Sequence, residues 1–189
     1  VASDAVTPEM RRQAKAVNFG VIYGQSAFGL ARNLRIPRAA AMRFIEDYFK
    51  QYPSVKAWID ATIEIAREKG YVTTLLNRRR YLPDLSSSNA TTRRAAERVA
   101  TNTPVQGSAA DIIKLAMIRL DAALRKEYGD GPAAPRMLLQ VHDELLIEAD
   151  QRVADKVAAL TRETMEEAMA LKVPLKVDVG MGKNWAEIH

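Results

Sequence analysis

At 189 residues and 48% hydrophobic content, the chain is long enough to bury one substantial core or two joined lobes, and no window approaches the roughly 18 consecutive apolar residues of a membrane span. Cysteine is absent, which excludes disulfide frameworks and thiolate zinc sites and fits a reducing cytoplasm, while the two histidines lie far apart and offer no histidine metal cluster. The net charge of +5 is polarised. Arg11, Arg12, Lys15, Arg32, Arg35, Arg38 and Arg43 fall in a stretch without an acid, and Arg78, Arg79, Arg80, Arg93, Arg94 and Arg98 form a second cluster against only Asp84 and Glu97. From Glu144 to Asp178 acids outnumber bases. Two basic clusters ahead of an acidic end favour a polyanion groove over a set of solvated helix faces. The opening Val1-Ala2-Ser3-Asp4 has no initiator methionine and reads as the interior of a longer protein.

In chain order, Thr7-Pro8-Glu9 supplies an N-cap, a proline at the first helical position and an early acid, predicting a helix to Tyr23 that stops at Gly24. Further helices are expected at 26–34, 37–51 and 53–69, the last two opened by Pro37 and Pro53 and the last closed by Gly70. Tyr71–Leu75 and Arg80–Leu82 flank Asn77 as a short hairpin, and Ser86-Ser87-Ser88-Asn89 leads into a helix over 90–103. Pro104 and Gly107 interrupt it, and Ser108 with Asp111 reads as a capping box for a helix reaching Tyr128. After a loop at 129–132, Met137–Val141 and Leu145–Glu148 read as strands around a tight turn. A helix is expected over 151–171 and a last strand over 176–180.

Three constellations carry chemistry. Arg11, Lys15, Phe19 and Tyr23 recur every four residues and share one helix face, about 18 Å long at 1.5 Å per residue. Ordered from cations to rings, the stripe suits a nucleoside triphosphate; the competing reading is an amphipathic helix with its rings in the core. Leu139-Gln140-Val141-His142-Asp143-Glu144-Leu145 places adjacent acids at a strand-to-strand turn, either a mount for a hard divalent ion or a solvated hairpin tip. Arg98, Asn102 and Gln106 again step by four, presenting a guanidinium and two amides along a line, for nucleic acid or for solvent and capping.

The segment Arg11-Arg12-Gln13-Ala14-Lys15-Ala16-Val17-Asn18-Phe19-Gly20-Val21-Ile22-Tyr23-Gly24 closely resembles the fingers-helix signature of family A DNA polymerases, the bacterial DNA polymerase I type. Residues 139–148 resemble the second palm motif, and Arg79–Leu85 and Glu97–Gly107 are similar to further family segments. The resemblance implies that Arg11 and Lys15 hold the triphosphate, that Phe19 packs against the incoming nucleotide, and that Tyr23 with Gly24 guards the template-base position. It further implies that Asp143 is a metal ligand, Glu144 an assisting acid and His142 a contact near the primer end, with Lys15, Asp143 and Glu144 forming the catalytic group. Arg98, Asn102 and Gln106 would contact primer–template DNA, inspecting minor-groove acceptors common to every correct pair. Phe19 in place of tyrosine implies discrimination against dideoxynucleotides.

The expected fold is α+β, with mainly helical fingers over 1–75, then over 76–189 the remaining fingers–palm junction and part of an antiparallel palm sheet with packed helices. The expected activity is addition of deoxynucleotides from deoxynucleoside triphosphates to a primer 3′ end, using Mg2+ in a two-metal site. The family's first palm motif, an Asp-Tyr-Ser-like strand, is not found. Half of the metal site, the N-terminal palm and the thumb are therefore expected from the rest of the same polymerase, and this chain alone is expected not to extend primers. The competing class is a noncatalytic nucleic-acid-binding module; no membrane partner is expected.

Overall fold

The computed structural model describes residue 2 and residues 5–188, and its architecture is α+β, mostly helical with two small antiparallel hairpins. Helices α1 (Pro8–Ile22), α2 (Ala27–Leu34), α3 (Arg38–Gln51) and α4 (Pro53–Lys69) lead to strands β1 (Tyr71–Thr73) and β2 (Arg79–Tyr81). Helices α5 (Ala90–Asn102) and α6 (Ser108–Tyr128), strands β3 (Arg136–Val141) and β4 (Glu144–Glu148) and helix α7 (Ala154–Glu166) follow. No helix among the described residues is long and apolar enough to cross a membrane.

Local chemistry sets most boundaries. The Thr7 hydroxyl accepts the Met10 amide at 3.2 Å at the start of α1, Ser26 accepts the Gly29 amide at 3.2 Å for α2, and Asn89 accepts the Thr91 amide at 2.9 Å for α5. At the other ends, Gly24 and Gly70 take φ of 72° and 75°, where a side chain would be strained.

Two compact units part between Gly107 and Ser108. The first holds two cores. Leu30, Ala31 and Ala41 tie α2 to α3, with Val17 of α1 and Ile45 packed on them. Ala66, Val72, Leu82, Leu85, Ala96 and Ala100 join α4, the β1–β2 hairpin and α5. This second core explains why compactness does not divide the chain after residue 75, where the sequence reading drew its functional line: the hairpin strands share one apolar cluster with the helices on either side. In the second unit Leu120 and Leu124 of α6 pack with Val157 of α7, and Leu145 and Ile147 of β4 lie against them.

Three expectations are corrected. Pro104 does not break the helical winding; Thr103–Gly107 forms a π turn, whose wider loop accommodates a residue that cannot donate the α-helical hydrogen bond. Helix α7 is shorter than 151–171, because Gln151–Val153 form turns and the helix ends at Glu166. Residues 176–180 are not a strand: the Val177 amide donates to the Glu166 carboxylate at 3.0 Å instead of to a ladder.

Candidate nucleotide and nucleic-acid site

Helix α1 presents its stripe outward. Arg11 and Lys15 are exposed, and neither side chain forms a hydrogen bond or ion pair among the described residues. Their neighbour Arg12 is instead committed, donating to both Glu9 oxygens at 2.8 Å, while Gln13 donates to the same carboxylate at 2.9 Å. Glu9 is consequently held below its ordinary carboxylate value by Arg12 first and Gln13 second. Pairing Glu9 with Arg12 leaves two uncommitted cations on the stripe.

Phe19 is 49% exposed and is not a core residue. Its ring stacks on Tyr23 with centroids 6.1 Å apart and planes 11° from parallel. The amphipathic-helix reading, which put these rings inside, fails at Phe19; the apolar anchors of α1 are Val17 and Val21. Beside the rings lies an open groove of about 420 Å3, lined by Lys15, Phe19, Gly20 and Tyr23 and, from beyond the helix, by Gln25 and Asn33. Its volume is within the range of small-molecule sites.

The sequence reading missed Gln25 and Asn33. Helix α1 ends in a Schellman arrangement, in which the Gly24 amide donates to Val21 O at 3.1 Å and the Gln25 amide to Gly20 O at 2.7 Å. An apolar contact usually accompanies this motif; here the Gln25 carboxamide lies on bare glycine. A Cβ at Gly20 would collide with Gln25 Oε1, and one at Gly29 would meet Gln25 Cγ at 3.0 Å. A glutamine at that capping position was the available signal. Asn33 comes to the groove only through the packing of α2, and no local pattern announces it.

Gly24 and Arg98 meet across the first unit, since a Cβ at Gly24 would lie 3.0 Å from Arg98 Cγ. Arg98 is exposed, and Asn102, one turn along α5, is half-buried with its Oδ1 buried and without a hydrogen-bond partner among the described residues. Gln106 is exposed but sits inside the π turn, so the straight line expected for Arg98, Asn102 and Gln106 holds only for the first two.

In the second unit, His142 and Asp143 form the two-residue turn between β3 and β4, with Val141 paired to Glu144. His142 takes φ of 54°, and Gln140 Nε2 donates to His142 O at 2.5 Å, bracing the turn. His142, Asp143 and Glu144 are all exposed. Among the described residues no three histidine, cysteine, aspartate or glutamate side chains are grouped to hold a metal. Asp143 and Glu144 therefore do not by themselves fit a complete ion site.

The model of DNA polymerase family A matches residues 1–187. The chain is 55% identical over 185 residues to DNA polymerase I of Bacillus caldotenax and 56% identical over 185 residues to the thermostable DNA polymerase I of Thermus thermophilus. In each case 98% of this chain is covered, and it spans about a fifth of the relative, 21% and 22% respectively. Among solved structures, it resembles the POL domain of Pol1 from M. smegmatis in complex with DNA primer-template and dNTP. There the TM-score is 0.91 and the identity 47%, covering 98% of this chain and 32% of that one.

Proposed function

This chain belongs to DNA polymerase family A, and on that premise we propose that it carries the nucleotide-gripping helix and one carboxylate turn of a DNA-directed DNA polymerase. The observation that supports this reading most is α1: uncommitted Arg11 and Lys15 lead along one face to the stacked Phe19 and Tyr23 beside an open groove. Cation side chains without protein partners suit the phosphates of a deoxynucleoside triphosphate, and a stacked ring pair with Phe19 exposed suits its base. Gly24 at the helix end and Arg98 beneath it link this groove to the proposed contacts with primer–template DNA, namely Arg98, Asn102 and Gln106 in the first unit. His142 is the proposed contact near the primer end.

The proposed reaction is attack of the primer 3′ hydroxyl on the α-phosphate with release of pyrophosphate. Magnesium, when bound, would stabilise the charge developing on the phosphate oxygens. Asp143 would be one of its ligands, with Glu144 assisting, and the remaining ligands would come from the rest of the polymerase together with the upstream palm and the thumb. Lys15 and Arg11 bind and orient the triphosphate; they need no proton transfer to do so. The competing reading, a noncatalytic nucleic-acid-binding module, keeps the cationic surfaces and assigns no role to the turn. A cytoplasmic location belongs to the same proposal.

The test is steady-state kinetics of the whole polymerase bearing Lys15→Ala or Arg11→Ala. Loss of a hydrogen bond to a charged group should lower kcat/KM for the nucleotide roughly ten- to hundredfold, with primer–template affinity nearly unchanged. Unchanged nucleotide kinetics in both variants would remove α1 from the site.

A further inference from the structure

Gln25 occupies the link between α1 and α2 and is tied to both helices. Its amide donates to Gly20 O at 2.7 Å, and the hydroxyl of the next residue, Ser26, accepts the Gly29 amide at 3.2 Å. The Gln25 side chain fills the space beside the same two glycines. Its Oε1 overlaps the place a Cβ at Gly20 would take, and its Cγ and Nε2 lie 3.0 and 3.3 Å from the place a Cβ at Gly29 would take. The residue is half-buried, and its carboxamide forms no hydrogen bond among the described residues. Shape, not polarity, holds it there.

A glycine inside a helix loosens the backbone, and Gly20 sits in the last turn of α1, next to Phe19 and three residues before Tyr23. Val21 anchors the buried side of that turn. Phe19 is 49% exposed, so core packing does not fix its ring, which goes where the turn goes. On the groove side, Gln25 supplies the side-chain contact that Gly20 lacks, and it faces Asn33 of α2 among the groove walls. We propose that Gln25 is a positioning residue for the nucleotide site: its side chain wedges the last turn of α1 against the first turn of α2 and thereby sets the Phe19–Tyr23 pair. This inference rests on the reading of α1 as the nucleotide-gripping helix and names what holds the ring end of that helix in place. The seat calls for an unbranched side chain of this length. Alanine would leave it empty, whereas methionine, similar in length and volume, would fill it.

The experiment is a double-mutant cycle on steady-state nucleotide kinetics of the whole polymerase, with Gln25→Ala, Phe19→Ala and the two combined, and with Gln25→Met as the conservative variant. Gln25→Ala should lower kcat/KM for the nucleotide about tenfold, with primer–template Kd within about twofold of wild type. Gln25→Met should recover most of that loss. In the Phe19→Ala background, Gln25→Ala should cost less than about twofold more, because the ring it positions is gone. The proposal is overturned if Gln25→Ala matches wild type while Phe19→Ala is impaired. It is also overturned if the two losses multiply, which would make Gln25 independent of the ring, or if Gln25→Met is as poor as Gln25→Ala, which would make the amide a polar contact to the ligand. Unchanged kinetics in Phe19→Ala would overturn the reading of α1 itself, and this inference with it. Should Gln25→Ala fail to fold, Gly20→Ala carries the comparison: it evicts the carboxamide while favouring the helix, and should lower kcat/KM to a similar degree without lowering Tm.

Discussion

Arg98 lies directly against Gly24: the left-handed backbone at residue 24, φ 72°, closes α1, and a Cβ there would approach Arg98 Cγ to 3.0 Å. A glycine is thus required twice, by conformation and by contact. Gly24→Ala should cost about 1–2 kcal/mol of stability for the left-handed residue. Arg98→Ala should recover only the steric part, so a double-mutant cycle on thermal or urea unfolding should show positive coupling between the two positions. Strict additivity would mean that the Arg98 stem does not bear on Gly24.

His142 opens the β3–β4 turn with φ of 54°. Histidine tolerates this region better than β-branched residues do. His142→Gly should be neutral or slightly stabilising, and His142→Val should lose about 1–2 kcal/mol in urea denaturation. Equal stability of the two variants would contradict the turn geometry.

Before α7, Asp150 accepts the Arg152 amide and Nε at 2.9 Å each and Arg152 Nη2 at 2.7 Å. These bonds, the side-chain pair first and the backbone amide second, hold its carboxyl well below the usual aspartate value. A depressed folded-state value means that the stabilisation is complete above the unfolded value, near pH 4, and is lost as pH falls through the lower folded value. Asp150→Asn should therefore flatten the acid limb of the stability profile below pH of about 4 and leave its slope near neutrality unchanged. An acid limb identical to wild type would show that the pair contributes nothing.

Leu120 is fully buried between α6 and α7, whereas Ile118 on the same helix is 67% exposed. Leu120→Ala should destabilise by about 2–5 kcal/mol, and Ile118→Ala by well under 1 kcal/mol. Comparable losses at the two positions would place the core of the second unit elsewhere.

The elements read correctly from sequence are those whose signals are local. Thr7, Ser26 and Asn89 each accept first-turn amides, Pro8 and Pro53 set the backbone of the first helical residue, and Gly70 closes α4 in the left-handed conformation, all within a turn. The π turn was not legible because Pro104 signals only that an α-helical bond is lost, not how the chain absorbs the loss. The expected strand at 176–180 failed because a strand exists only with a neighbour, and Glu166 takes the Val177 amide. At the candidate site, spacing by four revealed Lys15, Phe19 and Tyr23, which lie on one helix. Gln25 and Asn33 reach the groove through the folding of α2 beside α1, a tertiary relation that periodicity does not encode.

The most direct measurement of the central claim is magnesium-dependent primer extension by the whole polymerase, comparing Asp143 with Asp143→Ala at matched primer–template binding, alongside the 189-residue chain alone. The account predicts extension by the whole protein, its loss by several orders of magnitude in Asp143→Ala with DNA binding preserved, and none from the isolated chain. Extension undiminished in Asp143→Ala, or sustained synthesis by the chain on its own, would contradict it.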